Sequence, residues 1–126
     1  MLKKSLLSAL LVTSTLATAH INLNLDMTIT QFDMQHHIAS VVIVEENVPT
    51  SIAFNEIENP IINITAQTNG EFVALEVQFF EKLESGELIA ATEPIVLNTS
   101  FNQSAAVTAH DSDNNGLTLS ITPTVI

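Results

Sequence analysis

Residues Ile21 to Thr30 (Ile-Asn-Leu-Asn-Leu-Asp-Met-Thr-Ile-Thr) alternate apolar and polar side chains without a break. Successive side chains of a strand point to opposite faces, so this period of two specifies a β-strand with one dry face and one wet one. It does not fit an amphipathic helix, whose apolar positions recur every three to four residues. The same reading extends along the chain. Ile38–Glu45 is a β-branched run that reads as a strand buried on both faces. Ser51–Phe54, Ile61–Gln67, Phe72–Phe80, Leu88–Thr92, Ile95–Thr99, Ala105–Ala109 and Leu117–Thr122 complete the set of expected strands.

The punctuation between them is that of an all-β protein. Each glycine sits in a turn dipeptide: Asn69-Gly70, Ser85-Gly86 and Asn115-Gly116. Pro49, Pro60 and Pro94 precede or open strands, where a missing N–H does least harm. Short strands at this spacing predict an antiparallel β-sandwich, immunoglobulin-like, of about seven to nine strands. One segment carries a second signal. Phe72, Leu75, Phe79 and Leu83 fall near helical spacing within Glu71–Leu83, while Val73, Leu75, Val77 and Phe79 alternate with polar neighbours. The alternation and the flanking turns favour a strand, with a single helix packed on the sheet as the alternative.

The amino-terminal residues read differently. Lys3 and Lys4 precede an apolar stretch from Leu6 to about Leu16, and Ala17-Thr18-Ala19 follows. That is the order of a secretory signal peptide with an A-x-A cleavage site, and the stretch is too short to span a bilayer. The expected domains are therefore a leader over residues 1–19 and one β-sandwich over residues 20–126, exported to the periplasm or beyond, with no stable membrane insertion. The chain has no cysteine, so no disulfide framework supports the fold and no thiolate serves as nucleophile or metal ligand.

Charge excludes further classes. Three Lys+Arg stand against fourteen Asp+Glu, and removal of residues 1–19 would leave Lys82 as the sole Lys or Arg. Neutralising nucleic-acid phosphates or an anionic lipid surface requires many cations, so both partners are excluded. The glycines are used by turns, leaving none for a phosphate-cradling loop, and no G-x-S-x-G elbow or H-E-x-x-H helix is present. Without Trp or Tyr, a sugar-stacking platform has only Phe to draw on. These absences point away from an enzyme.

Two metal readings and one backbone reading remain. Asp111-Ser112-Asp113-Asn114-Asn115-Gly116 matches the first half of a calcium loop, with Asp111, Asp113 and Asn115 as oxygen ligands, but Thr122 stands where a bidentate Glu is expected. The same hexapeptide is also an ordinary polar hairpin tip. Cleavage after Ala19 would free the α-amine of His20, which with its ring nitrogen and a second imidazole could hold Cu(II). The second imidazole would come from His36, His37 or His110. Finally, Ile21–Thr30 lies at the expected mature terminus and could complete a neighbour's sheet, or serve as the first strand of its own.

One segment carries a family likeness. Pro94-Ile95-Val96-Leu97-Asn98, followed by Asn102-Gln103-Ser104-Ala105-Ala106-Val107, resembles a strand pair of the outer-membrane secretins. In those proteins a Pro leads into an apolar strand and a Gly/Asn-Gln-x-Ala-x-Val segment returns. Here Asn102 stands where Gly is usual, and the interval from Pro94 to Ala105 is slightly longer. The resemblance implies a β-hairpin and an envelope setting. Together these readings define a non-catalytic envelope protein that binds another envelope protein or itself.

Overall fold

The computed structural model describes residues 19–31, 33–54, 60–110 and 116–126. The expected leader, apart from Ala19, lies outside these residues, as do Asp111, Asp113 and Asn115. The strands are β1 (His20–Gln31), β2 (Met34–Glu45), β3 (Thr50–Ile52), β4 (Ile61–Asn69), β5 (Phe72–Lys82), β6 (Leu88–Ala90), β7 (Ile95–Ser100), β8 (Ala105–His110) and β9 (Gly116–Val125). No helix occurs among the described residues.

The strands form two antiparallel sheets. The first has the order β2-β1-β9-β8; in the second, β3-β4-β5 continues to β6 and β7, which share the far side of β5. This is the all-β antiparallel β-sandwich that the alternation predicts. The first and last strands are neighbours over Ile21–Thr30, and β3 to β6 run as a meander.

Alternation builds the core. Ile21, Leu23, Leu25 and Met27 of β1 face Ile62, Ile64 and Ala66 of β4 and Val73, Leu75, Val77 and Phe79 of β5 in one apolar cluster, which Leu119 and Ile121 of β9 join. Among the described residues no polar or charged side chain is buried. Glu71–Leu83 resolves as a strand because β4 pairs one side of β5 and β7 the other. The helical spacing had no physical counterpart: Leu75 and Phe79 point inward, whereas Phe72 is 65% exposed.

Three expectations are corrected. The first concerns Ile38–Glu45, which is not buried on both faces. β2 is the outer strand of its sheet, and Val41 and Ile43 stand 61% and 60% exposed. The second concerns the hairpin implied by the secretin likeness. Ile95–Ser100 pairs with β5 while Ala105–His110 pairs with β9, so the chain crosses between sheets at this point. A tight corner directs it. Asn102 adopts φ 68°, Gln103 N–H donates to Ser100 O (3.1 Å), and Asn102 N–H donates to Pro123 O (2.7 Å). Third, Gly116 is not a turn residue but opens β9. Its lack of a side chain matters through contact, because a Cβ there would lie 3.0 Å from His110 Cδ2.

A polar clasp joins the layers at the end of β2. Glu46 Oε2 accepts hydrogen bonds from Thr68 N–H (2.8 Å) and Thr68 Oγ1 (2.6 Å), and Asn47 N–H donates to Ala66 O (2.8 Å). The two Thr68 bonds, the side-chain one foremost, hold the Glu46 carboxyl below its ordinary 4.5. A carboxyl whose folded pKa is depressed adds stability that is complete above the unfolded pKa and is lost as pH falls through the folded one. Thr68→Val should therefore cost about 1 kcal/mol near neutrality, since the bond is charge-assisted but partly solvated. In urea denaturation the penalty should shrink steadily as the pH is lowered below 4.5, and a pH-independent penalty contradicts the clasp.

Candidate interaction edge

Among the described residues, four of the five outer strands are short. β3 and β6 have three residues each, and β7 and β8 have six. β2 has twelve and pairs with β1 through an unbroken register from His20–Glu45 to Gln31–Met34. Native edges are usually blunted by brevity, Lys, Pro or a bulge. β2 has none of these. Its sequence, Met-Gln-His-His-Ile-Ala-Ser-Val-Val-Ile-Val-Glu, contains no Lys and no Pro.

One backbone bond sets the phase of this edge. Glu46 N–H donates to Ala19 O at 2.9 Å, one step beyond the His20–Glu45 pair. Hydrogen-bonded and non-bonded pairs alternate in an antiparallel ladder. The even-numbered residues of β2 from Ile38 to Val44 therefore bond to β1. His37, Ala39, Val41 and Ile43 aim their N–H and C=O groups outward, and so does the N–H of Glu45, whose C=O accepts from Val48 N–H (3.2 Å) where the chain turns. The side chains of these same residues lie on the solvent face of the sheet, and all are exposed. Backbone donors, backbone acceptors and an apolar strip thus coincide on one line.

The strip is apolar at its centre and charged at its ends. Ala39, Val41 and Ile43 occupy the middle. At one end the His37 ring nitrogen contacts the Asp26 carboxylate of β1. At the other, His20 Nε2 lies 3.7 Å from Glu45 Oε1. The neighbouring outward residues of β1, namely Asn22, Asn24, Asp26 and Thr28, are polar, so the apolar strip is confined to the edge strand.

The expected metal residues fall elsewhere or apart. His36 and His37 lie opposite Ile29 and Thr28, and His110 lies opposite Gly116, which itself pairs with Thr30. His20 is at the other end of β1, eight residue steps from Thr28, roughly 26 Å at ~3.3 Å per residue. The imidazoles proposed to join His20 are therefore not brought to it. Among the described residues no group of three or more His, Asp or Glu gathers as a metal site.

A cleft of ≈ 510 Å³ opens at the other end of the sandwich, lined among others by Ile29, Phe79, Phe80, His110 and Leu117. Its ionisable lining side chains are Glu81 and His110, and Pro60, His110 and Gly116 adjoin positions outside the described residues.

Comparison with protein-family models, with curated proteins and with solved structures returned no match to this chain. The sequence expectations did not single out Val41, Ile43 or Glu45. The signal was present: a run apolar on both faces calls for cover on both, and the described residues cover only one.

Proposed function

We propose that the protein is a non-catalytic binding protein of the bacterial cell envelope that takes up an extended segment of a partner along the free edge of β2. One observation carries this reading: β2 is a long, unguarded edge whose outward backbone groups and exposed Ala39, Val41 and Ile43 share one line. An added strand gains affinity from main-chain hydrogen bonds and selectivity from alternate side chains. Export, a partner in the envelope and the absence of catalysis rest on the leader pattern, the acidic composition and the missing catalytic motifs. The reading in which Ile21–Thr30 is donated to a neighbour is less well supported, because that strand is paired along both sides within its own sheet.

The test uses a blocked ten-residue peptide of alternating Thr and Val, titrated into isotope-labelled protein and followed by NMR. Chemical-shift changes should concentrate at the amides of Ala39, Val41 and Ile43 and should vanish in Val41→Lys, because an edge lysine refuses a pairing strand. Changes centred on Ile29, Phe79 and Leu117 would transfer the binding site to the cleft. No change anywhere, with the protein diluted until it is monomeric, would remove the edge reading.

A further inference from the structure

Building on that edge reading, we infer that the strand β2 accepts is β2 of a second copy, in an antiparallel pair with Val41 on the twofold axis. The argument begins with parity. An antiparallel hydrogen-bonded pair needs outward-facing backbone groups on both strands, so odd residues of β2 must meet odd residues of the partner. A twofold at Val41 satisfies this: Val41 meets the partner's Val41, Ala39 meets the partner's Ile43, and His37 meets the partner's Glu45. A twofold contact between identical strands is isologous, so each of the off-axis pairs occurs twice.

Charge selects this register among those that parity allows. The exposed face of β2 has a histidine toward one end, a carboxylate at the other and apolar residues between them. Antiparallel self-pairing about Val41 places the imidazole end against the carboxylate end while the centre pairs apolar with apolar. Moving the axis by one residue toward either end separates His37 from the partner's Glu45. Within each chain, His37 already contacts Asp26, and Glu45 lies near His20. The pairing therefore brings Asp26, His37, the partner's Glu45 and the partner's His20 together across the joined sheet, carboxylate and imidazole in alternation. Setting an imidazole rather than a second carboxylate opposite Glu45 matters in a chain of formal net charge −11, whose copies otherwise repel each other. Cross-strand pairs of opposite charge stabilise a sheet and like charges directly opposite destabilise it.

The joined sheet would run β8-β9-β1-β2 and then β2-β1-β9-β8 of the partner, leaving only the six-residue β8 at each end. The exposed Val41 and Ile43 would gain the neighbours that their β-branched run calls for. The long edge of each copy closes the other.

The absence of cysteine gives a direct test. Val41→Cys places two thiols on the axis, where hydrogen-bonded partners have Cα atoms about 5.5 Å apart, inside the range a disulfide spans. Ile43→Cys places its thiols four residue steps apart, roughly 13 Å, beyond that range. Under oxidised glutathione, Val41→Cys should form a covalent dimer at least tenfold faster than Ile43→Cys. In sedimentation equilibrium the unmodified protein should shift toward dimer with rising concentration, while Val41→Lys stays monomeric with an unchanged circular dichroism spectrum. Equal trapping at the two positions, or a unmodified protein that remains monomeric up to about millimolar concentration, would overturn the self-pairing. The Thr-Val peptide separates the two claims: if it still engages Ala39, Val41 and Ile43, the edge reading stands and only the second copy is wrong.

Discussion

A chain beginning at Gln31 should fail to fold. It loses Ile21, Leu23, Leu25 and Met27, each at most 2% exposed. Full burial of such a side chain is worth about 1.5–3 kcal/mol, so the four together approach the roughly 5–15 kcal/mol that holds a typical domain together. The loss does not stop there. β1 lies between β2 and β9, so its removal strips β2 of its whole ladder and leaves β9 only its pairing with β8. Circular dichroism should show a disordered spectrum without a cooperative melt. A spare terminal strand, held ready for a neighbour, would behave otherwise: its removal would leave a folded domain. A truncated protein with a strand-type spectrum and a sharp thermal transition would restore the donation reading of Ile21–Thr30.

How far the fold was legible depended on the range of the signal. Alternation is local, and it located the strands, including Phe72–Lys82, where helical spacing competed. Pairing is not local. Ile95–Ser100 and Ala105–His110 look like consecutive strands of a hairpin, yet their inward residues serve different sheets. The corner at Asn102 uses a left-handed residue other than glycine, so no glycine announced it. The connection from β1 to β2 was hidden for the same reason, with Asp33 at φ 63°, so the expected strand began only at Ile38 and left His36 and His37 outside it. Asn and Asp tolerate this conformation better than other side chains, which makes such turns quieter in a sequence than an Asn-Gly pair.

The candidate site was legible only in half. The apolar character of Val41 and Ile43 was plain, but whether a strand is central or outermost depends on which others pair with it. The distance from His20 to the remaining histidines was equally hidden, because it follows from the direction of β2 against β1 and the reach of β8. Asp111, Asp113 and Asn115 lie outside the described residues, and the calcium reading stays where the sequence left it.

The most direct test of the open edge is amide exchange in the Val41→Lys protein, in which strand addition is refused. The bond from Glu46 to Ala19 implies that the amides of Ser40, Val42 and Val44 are held by β1, whereas those of Ala39 and Ile43 point away from it and have no strand partner among the described residues. Opening a core strand requires much of the domain's stability, whereas an outward edge amide requires none. Ala39 and Ile43 should therefore exchange at least about 10³-fold faster than Val42 and Val44, a difference that corresponds to ~4 kcal/mol of opening free energy. Equal protection of the two sets would mean that the edge of β2 is already covered within the chain, and the account built on it would be wrong.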